Sequence, residues 1–175
     1  LVGSHPGHGV QAHEKIIIQL VIGGVVAWWL SFKLDWTELW LPWVGNVDLG
    51  FFIIPIIVFL VMFMANAVNI TDGIDGLSAG TLIIAYGAFF AIALQQESAN
   101  MSLLVATIIG ALCGYLLFNI KPAKYQMGDV ASLGMGILLT AIAFALDRPI
   151  LLPIIGMIFI IEIMKTFNRL KNLKV

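Results

Sequence analysis

Asp72 and Asp75 stand three residues apart in NAVNITDGIDGLSAG, residues 66–80, a polar stretch between two otherwise almost wholly apolar ones. Carboxylates are costly beside hydrocarbon, so an acidic stretch at a membrane edge marks function by default. On a helix this spacing sets both side chains on one face, Cβ atoms roughly 5–6 Å apart. Like charges that close need a cation, or a ligand's hydrogen-bond donors, between them. Gly73 and Gly76 follow the two Asp, and lacking Cβ they let backbone approach a bulky ligand. An Asp-Gly turn joining two helices is the plainer alternative. The repeated pattern N-x-x-N-x-x-D-G-x-D-G, which adds Asn66 and Asn69, favours the functional reading.

A second constellation is FNIKPAKYQMGDVASLGMG, residues 118–136. Pro122 ends one apolar helix, and Gly128-Asp129 stands just before the next, with Ser132 as a cap. A helix N-terminus carries partial positive charge and free N–H groups, which suit phosphate. Asp129 beside it is a candidate ligand for Mg²⁺, a hard cation often shared with substrate phosphates. Lys121 and Lys124 add positive charge for an anionic substrate, although any cytoplasmic loop is expected to carry such lysines. Asp129 gains weight as a metal ligand only if it faces Asp72 and Asp75 across one site.

These residues are positioned by membrane helices. The 175 residues are 61% hydrophobic and 11% charged, far more apolar than a soluble domain. The apolar runs are continuous rather than alternating, which indicates helical spans and not a barrel. Six are expected: residues 16–34, 49–67, 77–94, 102–120, 133–146 (or from 130) and 149–167. The fold class is therefore an all-α, polytopic transmembrane bundle forming one domain. With both termini inside, Lys15, Lys121, Lys124, Lys165, Arg169, Lys171 and Lys174 face the cytoplasm, against Lys33 and Arg148 outside. Residues 1–15 then form a cytoplasmic loop, and residues 66–76 and 120–130 are active-site loops on that same face. Residues 35–48 are an extracytoplasmic amphipathic helix or hairpin. Trp28, Trp29, Trp36, Trp40 and Trp43 fall in or just before it, and an interfacial aromatic belt explains them better than a carbohydrate platform.

The single cysteine, Cys113, excludes an internal disulfide or a Cys-based metal site and reads as a small buried apolar residue. His5, His8 and His13 read as flexible-loop residues. The opening LVGSHPGHG lacks a basic n-region, so no signal peptide is expected. A net charge of −1 argues against nucleic acid as a partner.

The two constellations together resemble the polyprenyl-phosphate sugar-1-phosphate transferases, whose patterns run N-A-V-N-L-T-D-G-L-D-G-L-A and F-N-x-x-P-A-x-V-F-M-G-D-T-G-S-L. Thr71 before Asp72-Gly73 favours the branch whose sugar is N-acetylmuramoyl-pentapeptide over the N-acetylglucosamine branch. Gly9, Ala12 and Lys15 match a further loop pattern, G-L-S-A-x-x-K, so the likeness runs from about Gly9 to Glu162. The resemblance implies an Mg²⁺-dependent enzyme of the bacterial inner membrane, acting at its cytoplasmic face. Its partners would be a UDP-linked amino sugar, polyprenyl phosphate, membrane lipid and, as a homodimer, a second copy. Asp129 matches the metal-binding residue; Asp72 and Asp75, with Asn66 and Asn69, match the nucleotide and diphosphate pocket; Lys15 matches a phosphate-facing base.

Three departures accompany the likeness. The family has about ten spans against six here, and an Asp-Asp-x-x-Lys motif and a histidine-rich loop have no counterpart. Gln126 stands where a Phe would stack on uracil, and Ala131 replaces a Gly. The alternatives are an N-acetylglucosamine-1-phosphate transferase and a non-catalytic membrane scaffold. A transporter would need polar residues at mid-bilayer, which the apolar runs lack.

Overall fold

The computed structural model describes residues 12–41 and 43–172. Its elements are helices plus one small hairpin. In hydrocarbon each backbone amide must be satisfied within its own segment, and a helix does this for a long apolar run. Helix α1 (Ala12–Trp28) continues through a π-helical turn, Trp29–Lys33. Helix α2 (Ile53–Thr71) is entered by a 3-10 turn, Gly50–Phe52; α3 (Leu77–Gln95), α4 (Ala99–Asn119) and α5 (Gly128–Ala145) follow. These five are long and apolar enough to cross a membrane. They alternate in direction, so the start of α1, the end of α2, the start of α3, the end of α4 and the start of α5 share one end of the bundle.

The sixth expected span is not continuous. Residues 149–167 divide into a 3-10 turn (Pro149–Leu151), α6 (Leu152–Ile155) and α7 (Met157–Asn172), with a break at Gly156. Pro149 and Pro153 remove two amide donors. At Gly156 a Cβ would lie 2.7 Å from the Leu152 carbonyl oxygen and 3.3 Å from Met64 Cε. Six expected spans are thus five unbroken helices and one interrupted segment.

Of the two alternatives for residues 35–48, the described residues show the hairpin. Strand β1 (Glu38–Leu41) pairs antiparallel with β2 (Gly45–Asp48), Glu38 opposite Asp48 and Leu41 opposite Gly45. Trp36 packs edge-on against Phe144 of α5 at 4.9 Å, and the Arg148 guanidinium lies 4.3 Å from the centre of the Trp40 ring. Both contacts hold the hairpin to the end of the bundle opposite Lys15 and Asp129, while Trp28, Trp29 and Trp43 stay exposed.

Helix α2 is central, packed by α1, α5 and α7, and buries Ile57, Val61, Met64, Ala65 and Val68. Helix α4 packs on α3 through Val105, Ile108 and Leu112. Cys113 lies off that stripe and is exposed, not buried as expected; a thiol is apolar enough to face hydrocarbon. A buried Tyr86 on α3 donates to the Met135 carbonyl on α5 at 2.8 Å.

Helices α2 and α5 approach closely at Gly136, where a Cβ would meet the Met64 carbonyl oxygen at 2.5 Å and Ala65 Cα at 2.7 Å. Small residues let membrane helices approach this closely. Gly136→Ala should therefore destabilise the fold by about 1–3 kcal/mol and lower the melting temperature in detergent. Gly134→Ala, which meets nothing within 4 Å, should leave it unchanged or slightly raised.

Candidate active site

Helix α1 begins at Ala12, so His13 and Lys15 belong to its first turn and not to a loop extending to residue 15. Ala is the best helix former, and Glu14 in the first turn complements the helix dipole. His5 and His8 lie outside the described residues. From this turn the Lys15 ammonium reaches Asp129 Oδ2. The other oxygen, Oδ1, accepts from Asn69 Nδ2 at 2.9 Å. The second Asn69 amide hydrogen goes to Ser132 Oγ at 2.8 Å. Ser132 is fully buried inside α5 and donates back to the Gly128 carbonyl at 2.8 Å, so it orients Asn69 and does not cap the helix.

The expected loop boundaries move. Asn66 and Asn69 are on the last turns of α2, and Asp129 is on the first turn of α5, leaving residues 72–76 and 120–127 as the connections. Because 73–76 is a turn, Asp72 and Asp75 do not share a helix face. Asp72 Oδ2 accepts the Gly128 amide at 3.0 Å, while Asp75 Oδ2 accepts the Ala123 amide at 3.1 Å. The Gly128 amide at the N-terminus of α5, read from sequence as a phosphate donor, is engaged by the chain's own carboxylate. Gly76 adopts φ 77°, a left-handed conformation open to glycine, and so turns the chain into α3.

Two polar residues not singled out from sequence hold this end together. Asn119, buried at the end of α4, accepts the Gly76 amide at 2.9 Å and donates to the Tyr125 carbonyl at 2.9 Å. Gln19, buried on α1, exchanges hydrogen bonds with Asn66 at 2.7 and 3.3 Å. Their detectable signal is an amide inside an apolar helix, a group that must find a partner there. Lys121, Lys124 and Gln126 are exposed on the connection before α5, and none of their side chains has an ion pair among the described residues.

Burial raises the Asp72 carboxyl above its ordinary range, opposed by the Gly128 amide and reinforced by the charge of Asp129. Asp72 and Asp129 are therefore electrostatic neighbours, whereas Asp75 is turned away to the Ala123 amide. Of the two carboxylates that Asp129 was expected to face, only Asp72 is its neighbour, and among the described residues no three His, Cys, Asp or Glu side chains gather as a metal cage. The donor set still fits Mg²⁺, which keeps several waters and takes one or two carboxylates alongside substrate phosphates. Beside Lys15 and Asp129 an apolar groove of about 200 Å³ runs between α1 and α5, lined by Ile18, Ile22, Val130, Leu133 and Ile137.

Asn119→Ala should release both connections together, seen as faster amide exchange at Gly76 and over residues 123–128, while α3 and α4 stay protected. Asp129→Asn removes a like charge beside Asp72, so the Asp72 carboxyl should titrate at lower pH than in the wild type. Carboxyl-carbon NMR reads this directly, and an unmoved or raised titration would show that the two groups do not interact.

A profile of glycosyl transferase family 4 matches residues 8–147. The chain is 38% identical over 167 residues to the phospho-N-acetylmuramoyl-pentapeptide-transferase of Halalkalibacterium halodurans, covering 95% of this chain and 51% of that protein. It is 36% identical over 169 residues to the proteins of the same name from Bacillus thuringiensis and Bacillus cereus, covering 95% of this chain and 52% of theirs. It thus spans about half the length of the curated relatives it matches. The matched region includes Lys15, the α2–α3 connection and the start of α5, so the polar end of the bundle lies within the profile, and the chain belongs to glycosyl transferase family 4.

Proposed function

We propose that this chain carries the transfer site of a phospho-N-acetylmuramoyl-pentapeptide transferase. The donor is a UDP-linked N-acetylmuramoyl-pentapeptide and the acceptor is undecaprenyl phosphate, a polyprenyl phosphate. The observation that carries this reading is the convergence of Lys15 on α1, Asn69 on α2, Asp72 just past α2 and Asp129 on α5 at one end of an otherwise apolar bundle. Relatives bearing that activity in their names, matched along nearly the whole chain, support the sugar, and the carrier follows from the resemblance of the two sequence motifs.

In the reaction, an oxygen of the lipid phosphate attacks the sugar-side phosphorus of the nucleotide sugar. A new P–O bond forms, the bond to the UMP oxygen breaks, and its electron pair leaves with UMP; the product is the lipid-linked pyrophosphoryl sugar of peptidoglycan synthesis. Such a transfer needs mainly positioning and neutralisation of charge. Asp129 and Asp72 would hold Mg²⁺, which supplies charge neutralisation at the diphosphate when bound. Lys15, Lys121 and Lys124 attract the anionic groups, and Asn69 and Gln126 line the nucleotide side. Asn66 acts through Gln19, and Asp75 positions the 120–127 connection through the Ala123 amide. The groove between α1 and α5, apolar along its length with Lys15 and Asp129 at one end, accords with a hydrocarbon acceptor bearing a phosphate. The excess of Lys and Arg at this end accords with the cytoplasmic face of the bacterial inner membrane.

The full protein, given UDP-N-acetylmuramoyl-pentapeptide, undecaprenyl phosphate and Mg²⁺, should release UMP and form a lipid of the corresponding mass. Asp129→Asn and Asp72→Asn should each lower the rate by about 10²-fold or more, the scale for losing one group that stabilises developing charge. Wild-type rates in both variants would overturn the site. A product formed only from UDP-N-acetylglucosamine would reassign the substrate, and no UMP release from either sugar would leave a scaffold.

A further inference from the structure

Both oxygens of Asp129 are engaged, by partners of different character. Asn69 is held twice, by Asp129 and by the buried Ser132, and is fixed in place. Lys15 makes its ion pair with Asp129 from the end of a flexible four-carbon stem, and both side chains reach solvent, 26% exposed for Lys15 and 53% for Asp129. A second carboxylate, Asp72, accepts the amide of Gly128, the residue before Asp129, at 3.0 Å, so one ammonium neutralises only part of the local negative charge. A hard divalent cation prefers such carboxylate oxygens, whereas a lysine ammonium is strongly hydrated and free to turn elsewhere.

We propose that Lys15 is the exchangeable counter-ion of Asp129. It holds the carboxylate while no divalent cation is bound, yields it when one binds, and then presents its ammonium to a phosphate oxygen of the substrate. This rests on the reading of Asp129 as the metal carboxylate. Lys15 is on that view a positioning residue with two stations, both within reach of the first turn of α1. The exchange replaces one cation by another, so Asp129 and Asp72 do not face each other uncompensated at either stage. Asn69 keeps its hold on Oδ1 and preserves the orientation of the carboxylate.

The test is Mn²⁺ binding to the full protein in nanodiscs without substrate, followed by the EPR signal of the free ion. Lys15→Met should bind Mn²⁺ about fivefold more tightly than the wild type, since a partly exposed ion pair competes with about 1 kcal/mol. With Mn²⁺ present, the same variant should bind the UDP-sugar more weakly. Lys15→Gln, which keeps a polar side chain, should behave in the same way and serves if Lys15→Met does not fold. Asp129→Asn should bind Mn²⁺ at least tenfold more weakly. If Asp129→Asn binds as the wild type does, the metal assignment falls and this inference with it. Should Asp129→Asn weaken binding while the Lys15 variants leave it unchanged or weaken it too, the exchange alone is overturned.

Discussion

The polar end of this protein depends on how closely two antiparallel backbones, α2 and α5, can approach at Gly136. With no side chain there, the Met64 carbonyl and the Ala65 backbone occupy the space a Cβ would fill. From that contact toward the site, each step along α2 has a counterpart on α5. Asn69 meets Ser132 and Asp129, and Asp72 meets the amide of Gly128. If α2 were displaced outward by the width of a methyl group, hydrogen bonds of 2.8–3.0 Å would be lost first, because they weaken steeply with distance and angle. A packing contact deep in the apolar part thus sets the geometry of the charged end.

The same end must also satisfy backbone groups left over where helices stop. Each helix terminus leaves several unpaired N–H or C=O groups, and here side chains supply part of what water or a cap would. Asp72 takes the Gly128 amide at the start of α5, Asp75 the Ala123 amide, and Asn119 the Gly76 amide at the start of α3. Two acidic residues in one turn are therefore divided between neighbours. Coulomb repulsion favours that division, and the negative charge of Asp72 is placed where the dipole of α5 welcomes it. Burial and Asp129 oppose ionisation of Asp72, while the Gly128 amide favours it.

Much of this was legible in the sequence. Long apolar runs marked the five continuous helices, the tryptophans marked an amphipathic segment without choosing between helix and hairpin, and the resemblance of two motifs named the family. What periodicity could not show was where helices continue through polar residues. Ala12–Lys15 lie within α1, where Ala and Lys are good helix formers, whereas Gly128–Asp129, poor helix formers, are held at the start of α5 by Asp72, Lys15 and Asn69. The interruption at Gly156 was hidden because Pro149, Pro153 and Gly156 lie in a segment apolar enough to read as one span. Cys113 was read as buried from its residue type, but exposure on a membrane helix depends on which face meets a neighbour, and the apolar residues that α4 buries are the stripe of Val105, Ile108 and Leu112. Gln19 and Asn119 went unremarked because single amides in apolar runs declare their importance only when their partners, Asn66, Gly76 and Tyr125, are brought beside them.

The reduced acidic set bears on the kind of cation site this chain could offer. A closed cage of three or more carboxylates would bind a divalent ion in the absence of any ligand and leave little room for phosphate. Two neighbouring carboxylates, one held by a lysine and an amide and the other by a helix-terminal amide, form an open set. An Mg²⁺ ion at such a set would complete its shell with water and substrate oxygens, and its affinity would then depend on the substrate being present. Binding energy would in this way be reserved for an assembled complex, where it could favour a transition state over the separate components. Asp75, turned toward the 120–127 connection, serves the same end indirectly, by holding in place the segment that leads into α5 and Asp129.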